Sequence, residues 1–270
     1  MRGAIKFIIA LLVAAVSLVT YWCSSEQNEF TGEEQRVDMT VEQEIALGLQ
    51  AAPQMAEQYG GLHPDQQAAQ EVKAIGQRLV QSTRVKETPY EFDFHLLADE
   101  QTVNAFALPG GQIFITAGLL RRLESEGQLA GVLGHEIGHV VARHSAQQLA
   151  KAKLTQGLTG AAAIATYDPD NPASRSGAAV AAMIGQLVNM SYGREDELES
   201  DVLAVELTGN AGYDPRSMVR VMQILEEASG GAGGGPEFMQ THPNPGNRVA
   251  KIEAAIQEQY PNGLPEGLTE

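Results

Sequence analysis

The chain has 270 residues, 43% hydrophobic and 19% charged, with a formal net charge of −16 at pH 7. That length supports one sizeable core with peripheral segments. So acidic a balance excludes a nucleic-acid partner and argues against broad adhesion to anionic lipid. A single cysteine, Cys23, excludes both an internal disulfide and a cysteine-built zinc site.

Residues 1–23 read as a signal or anchor segment: Arg2 and Lys6 precede an apolar run over residues 7–22. The run is slightly short of the roughly 20 residues of a full span. Tyr21 and Trp22 before Cys23 do not fit a lipoprotein site. The expectation is therefore an uncleaved single-pass anchor touching the membrane through residues 7–22, with a cleaved, soluble form as the alternative. Residues 24–40 are polar and read as a linker, and the folded domain is expected over 41–262. Thr40 caps a helix, with Gln43 or Glu44 at the third helical position. This helix carries Ile45, Leu47 and Leu49 and ends near Tyr59-Gly60-Gly61. A second helix over 64–82 turns Val72, Ile75, Leu79 and Val80 inward. Residues 90–97 alternate, with Phe92, Phe94 and Leu96 on one side, as a strand does. Two short extended runs, 103–108 and 112–116, flank Pro109-Gly110-Gly111 and spell a hairpin. A short helix over 117–123 follows.

Ser125 caps the next helix, expected to continue to about Leu154, and this helix holds His135-Glu136-x-x-His139. Residues four apart lie one above the other on a helix, so the two imidazoles share a face and can grip one metal ion. Glu136 stands beside them as a base for a water activated by that metal. Leu129, Val132, Leu133, Ile137 and Val140 recur at three- and four-residue spacings. Gly134 and Gly138 weaken the helix by propensity and make sense where another element packs closely against it. His144, five residues after His139, reads as a surface histidine or an outer partner, not a ligand.

Residues 157–164 and 177–190 are small and apolar around a polar loop at 167–172. They suit either a membrane-dipping helical hairpin or a flap over the site. A helix resumes over 193–210, and another runs from Pro215 to about Ala228. Residues 230–236 hold five glycines, Thr241-His242-Pro243-Asn244-Pro245 is a stiff turn, and 247–260 is a last helix before a flexible tail at 263–270. Two histidines need a third protein ligand. Glu195, Glu197 and Glu199 are all available, and charge does not choose among them. Glu197 and Asp201 share a face, so Glu197 can hold metal while Asp201 accepts a bond from a ligand imidazole. By composition alone, His242 is a turn histidine packed on Pro243, and Asn104 is a turn cap.

The order of these motifs resembles the zinc metallopeptidases that include the CaaX prenyl endopeptidase, the HtpX-type heat-shock proteases and the periplasmic proteases of outer-membrane quality control. These pair His-Glu-x-x-His with a later Glu-x-x-x-Asp, matched by Glu197 and Asp201. Their Asn-Ala-Phe-Ala segment is matched by Asn104, Ala105, Phe106 and Ala107, and their Ala-Gly-Tyr-Asp-Pro by residues 211–215. Their Thr-His-Pro turn and following arginine are matched by Thr241, His242, Pro243 and Arg248. Gly193 and Ser200 depart mildly from the usual serine and alanine, and the resemblance covers roughly residues 30–260.

The resemblance implies an α+β fold, a mainly helical zincin-like domain with a small β-sheet beside the motif helix. It implies one Zn(2+) per chain held by His135, His139 and Glu197, with Asp201 behind them and Glu136 as general base. His242 is then expected to gate or assist the reaction, and Arg248 to pair with an active-site carboxylate or the oxyanion, unless it is a helix-surface arginine. Residues 104–107 would pair with substrate as an added strand. The implied activity is an endopeptidase acting on unfolded or misassembled exported proteins at the periplasmic side of the envelope, tethered to the inner membrane. The rival reading is a periplasmic chaperone or assembly factor with a non-catalytic metal site.

Overall fold

The β-rich centre of the chain builds a three-stranded sheet, and the computed structural model describes it together with the rest of residues 2–166, 191–229, 236–243 and 246–270. Strand β3 (Asp93–Leu97) runs parallel to β5 (Gln112–Thr116), and β4 (Ala105–Leu108) pairs antiparallel with β5, giving the order β3-β5-β4. The hairpin turns at Gly110 and Gly111, both at positive φ, which only glycine adopts freely. A Cβ on Gly110 would lie 2.4 Å from the Ile45 Cα, so this turn seats directly on helix α2 (Val41–Gln58). Thr40 and Gln43 form the capping box that starts α2. Of its three expected apolar positions Leu47 is buried, whereas Leu49 faces outward.

Helix α3 (Gln66–Ser82) starts on Asp65, whose carboxylate accepts from the Gln67 and Ala68 amides. It lays Val72, Ile75, Leu79 and Val80 against the sheet and against helix α5 (Glu126–Val141), with α4 (Ala117–Leu120) between β5 and α5. From Gly127 to Val141 every residue of α5 is buried. Each fully buried Leu or Ile there contributes roughly 1.5–3 kcal/mol. The architecture is the expected α+β class, mainly helical with a small sheet beside the motif helix.

Helix α5 does not continue to Leu154. It stops at Val141, Arg143 adopts φ 58°, and a separate helix, α6 (His144–Thr166), begins in a new direction. Helix α7 (Arg194–Asn210) crosses α5, and α8 (Ser217–Ser229), the five-residue α9 (Glu237–Thr241) and α10 (Arg248–Gln259) complete the shell. Residues 24–40, read as a linker, hold a hairpin of β1 (Ser25–Gln27) and β2 (Glu34–Arg36). Its Asn28 side chain donates to the Val141 carbonyl at 2.9 Å and so ties the hairpin to the end of α5. The tail is also not free: Thr269 forms a bridge with Tyr213 and exchanges backbone bonds with Gly212 and Asp214. Both pairings are long-range, which local composition does not reveal.

Helix α1 (Arg2–Cys23) is long and apolar enough to cross a membrane and points Phe7, Leu12 and Trp22 outward. Part of its length packs on α6, where a Cβ on Gly157 would meet the Ser17 hydroxyl. Residues 157–166 thus extend α6, while the rest of the expected hairpin or flap, 167–190, lies outside the described residues. So does the glycine-rich loop at 230–235.

Candidate metal centre

Two crossing helices bring the ligand-type side chains together. Helix α5 presents His135 and His139 one turn apart, and α7 presents Glu197 and Asp201 one turn apart on the facing side. The two glycines of the motif permit this approach. A Cβ on Gly138 would stand 3.1 Å from the Ser200 Cα, and one on Gly134 would touch Ala204. Four of these approaching residues, His135, His139, Glu197 and Asp201, are at most 1% exposed.

The ring nitrogens His135 Nε2 and His139 Nε2 lie 3.1 Å apart. Glu197 Oε2 is 3.5 Å from the first, and Glu197 Oε1 is 3.4 Å from the second. Zinc bonds of about 2.0–2.2 Å set tetrahedral ligand atoms roughly 3.3–3.6 Å apart. The Glu197 distances fall in or near that range and the two ring nitrogens stand slightly closer, so the donor set suits a zinc ion with a small opening of the His135–His139 pair. Neighbouring carboxylates confirm which nitrogens face outward. His135 Nδ1 is 3.0 Å from Asp201 Oδ1, leaving Nε2 turned to the cluster. Burial opposes protonation of His135, yet Asp201 and Glu197 outweigh it and lift its pKa to about 9. Burial dominates at His139, whose pKa falls well below the usual histidine range. Burial would also raise Glu197, but His242, His135 and His139 hold its carboxyl far below the usual range.

Glu136 is wholly buried, and neither of its oxygens has a hydrogen-bond partner among the described residues. Burial pushes its carboxyl up, against the pull of His242 and His135. Leaving a buried carboxylate unsatisfied costs several kcal/mol unless something else engages it. A group kept in that condition beside a metal-type cluster is placed to exchange protons.

His242 joins the cluster as well. Its Nδ1 lies 3.0 Å from Glu197 Oε1 and 3.4 Å from His135 Nε2, so four ligand-type side chains face one point. Its Nε2 faces Glu136 Oε1 at 3.7 Å, beyond hydrogen-bond length. The bland reading of His242 as a turn residue is thus not where the structure puts it. Helix α9 delivers it: Phe238 stacks on the His242 ring at 4.3 Å, and the Phe238 amide donates to the Val103 carbonyl.

Arg248, considered as a helix-surface residue, is 1% exposed. Its guanidinium donates twice to Asp201, at 2.7 and 2.6 Å, and its Nη1 sits 3.0 Å from Glu197 Oε2 as an ion pair not aligned for a hydrogen bond. Asn104 opens the edge strand β4 and donates to Glu237 Oε1 at 3.0 Å and to the Tyr59 hydroxyl at 3.3 Å. Ala105 and Ala107 face the main core, while Phe106 stacks on Phe114 on the other side. A cavity of about 20 Å³ lies between β4, Tyr59, Tyr192 and His242.

Sequence reasoning missed two contributors, which no local signal marks: Tyr192 stacks on His139 at 3.9 Å, and Glu237 holds Asn104. Of the two readings of His144 the structure matches the outer partner, its ring wholly buried against His139 rather than on the surface.

Taken together, a buried His-Glu-x-x-His helix crossed by a Glu-x-x-x-Asp helix defines a zincin-like metallopeptidase site. The chain matches the model of peptidase family M48 over residues 66–256, and it belongs to that family. It is 30% identical over 230 residues, 83% of its length, to a beta-barrel assembly-enhancing protease of Yersinia pestis, covering 46% of that protein. It is 26% identical to the Escherichia coli (strain K12) protein of the same name over 95% of its length and 53% of that protein. To the mitochondrial metalloendopeptidase OMA1 of Arabidopsis thaliana it is 33% identical over 61% of its length and 32% of that protein. The chain thus spans about half or less of the curated relatives it matches. Family membership and the His/His/Glu/His cluster together support a zinc metalloprotease activity.

Proposed function

We propose that the protein is a zinc-dependent endopeptidase that cleaves unfolded or misassembled exported proteins at the periplasmic side of the cell envelope. The observation that carries the chemistry is Glu136, buried and without a hydrogen-bond partner among the described residues, one residue from His135. Zinc held by His135, His139 and Glu197 would supply a Lewis acid that polarises the scissile carbonyl and acidifies water. Glu136 takes the proton of the attacking water and delivers it to the leaving amine. Asp201 orients His135, and Arg248 acts through Asp201 and Glu197 rather than on substrate.

Substrate adds along the outer edge of β4, whose other edge is occupied by β5, so Asn104, Ala105, Phe106 and Ala107 recognise backbone more than side chain. His242 is the resting-state inhibitor. With Nδ1 3.4 Å from His135 Nε2 and 3.0 Å from Glu197 Oε1, it would hold a bound metal in place of the nucleophilic water, and swung outward it could donate to the tetrahedral oxyanion. The apolar α1 supports a membrane tether, and the relatives named for β-barrel assembly support an envelope role.

The test uses the full chain with unfolded casein. Cleavage should require zinc, cease with a chelator and return on zinc addition. Zinc binding without any cleavage, by the wild type and His242→Ala alike, would leave a non-catalytic metal site instead.

A further inference from the structure

The two histidines of the motif helix are backed by different partners, and only one of those partners is a carboxylate. His135 leans on Asp201, but His139 Nδ1 lies 2.9 Å from His144 Nδ1, and His144 Nε2 lies 3.1 Å from Glu199 Oε2. The Ser200 hydroxyl is a more distant neighbour of the same His144 nitrogen, at 3.4 Å. His144 is completely buried, and Glu199 is partly open to solvent.

Chain geometry alone would not make this contact. Five residues along a continuous helix advance about 500°, which would turn residue 144 roughly 140° away from His139. The contact exists because α5 stops and Arg143 enters the left-handed region at φ 58° before α6 starts on His144 itself. For a non-glycine residue that conformation costs on the order of 1 kcal/mol or more. The Arg143 side chain is clamped there. Its guanidinium donates to Glu44 at 2.7 Å, to the Met39 carbonyl at 2.8 Å and to Glu26. A strained residue held by three separate segments, with a buried imidazole delivered as its result, marks a built contact.

We infer that His144 is a positioning residue for His139: its Nδ1 lone pair accepts the His139 Nδ1 proton, fixing the tautomer that leaves His139 Nε2 free for metal. Glu199 in turn accepts the His144 Nε2 proton, so the relay runs His139 to His144 to Glu199. The relay gives a neutral acceptor where His135 has an anion. This rests on the reading of His135, His139 and Glu197 as zinc ligands. A glutamate read from the sequence as one of three competing ligand candidates thereby has its own place, two imidazoles away from the metal.

Zinc affinity of the full chain, measured by competition with a chromophoric chelator, tests it alongside thermal unfolding of the metal-free proteins. His144→Leu removes the acceptor at similar bulk and should weaken zinc binding about 10- to 100-fold. His144→Asn keeps an acceptor oxygen near the Nδ1 position and should restore most of that loss. The 15N signature of His139 in the zinc-loaded wild type should report a protonated Nδ1. Wild-type affinity in His144→Leu, or equal loss in His144→Leu and His144→Asn at matched metal-free stability, would overturn the relay. A wild-type chain that binds no zinc would overturn the relay and the ligand assignment together.

Discussion

Helices α7 and α9 both deliver a side chain to the same cluster, and they do so with very different security. Helix α7 is 17 residues long, crosses α5 at glycine positions and buries Leu203, Ala204, Val205 and Leu207 in the core. Helix α9 has five residues and is held by Phe238, by the Tyr192 amide donating to the Thr241 carbonyl, and by Glu237 on Asn104 and Tyr59. Glu197 is therefore a permanent member of the site, fixed by the same packing that makes the fold. His242 is held by fewer contacts, a handful of polar and ring contacts among which Phe238 alone belongs to the main core. On the proposed reading, the first holds the metal and the second regulates access to it. Substitutions on either side can break this division.

The largest expected effect is on the group that belongs to neither helix. Glu136→Gln removes the base while keeping shape, since the carboxylate has no hydrogen-bond partner among the described residues. General-base loss is worth about 10²–10⁴ in rate. Casein cleavage should fall by at least that order, with zinc content unchanged by elemental analysis. Near wild-type hydrolysis by the metal-loaded variant would sink the assignment.

Next comes the secure ligand itself. Glu197→Ala should lose both zinc and activity. Glu199→Ala, which touches only the outer end of the His144 relay, should keep most of both. Asp201→Ala should fall between them, about 10- to 100-fold down in affinity or activity. Equal metal loss from Glu197→Ala and Glu199→Ala would mean that α7 offers its carboxylates interchangeably, contrary to the geometry.

The support behind α7 can be tested by pH. Burial opposes ionisation of Asp201, but Arg248 and His135 hold its carboxyl below the usual range. Arg248→Met leaves two buried carboxylates facing each other and should cost the metal-free protein about 3–5 kcal/mol near neutrality. A carboxyl with a depressed native pKa contributes stability that is complete above its unfolded value, about 4. That contribution drains away as pH falls through the lower native value. The gap between wild type and Arg248→Met should therefore narrow below about pH 4 in denaturant unfolding. A gap constant with pH would show that Arg248 matters by packing alone.

These contrasts also explain what could be read from the chain. The pairing of His135 with His139, and of Glu197 with Asp201, on shared faces was legible because four-residue spacing on a helix fixes a shared face whatever the rest of the fold does. The β4–β5 hairpin was legible because Gly110 and Gly111 demand their turn. Charge alone left Glu195, Glu197 and Glu199 equivalent and the motif resemblance chose Glu197; in the structure Glu197 faces His135 and His139 whereas Glu199 meets His144. The burial of His144 depends on one dihedral at Arg143, a residue type that gives no warning of a left-handed turn. The β1–β2 hairpin pairs short polar segments and the Thr269 bridge spans a long stretch of chain, and hydrophobic periodicity is silent on both.

The smallest expected effect falls on the less secure side. His242→Ala deletes a ring that sits 3.0 Å from Glu197 and stacks on Phe238, and leaves the ligand residues of α5 and α7 unsubstituted. If the ring chiefly blocks the nucleophile, its removal frees the fourth corner and kcat/KM on unfolded casein should rise severalfold. If it chiefly donates to the oxyanion, kcat/KM should instead drop, by up to about 10²-fold, the scale of a lost oxyanion donor. The resting geometry favours the rise, because Nδ1 already points to the cluster and Nε2 has no hydrogen-bond partner among the described residues. Loosening α9 from outside offers a second handle. Glu237→Ala removes the anchor on Asn104 and Tyr59, so it should shift activity in the same direction as His242→Ala and by less. Both are to be measured at matched zinc occupancy. An unchanged kcat/KM in His242→Ala would return the residue to a packing role, and a rise in Glu237→Ala alone would place the restraint on the substrate strand rather than on the metal.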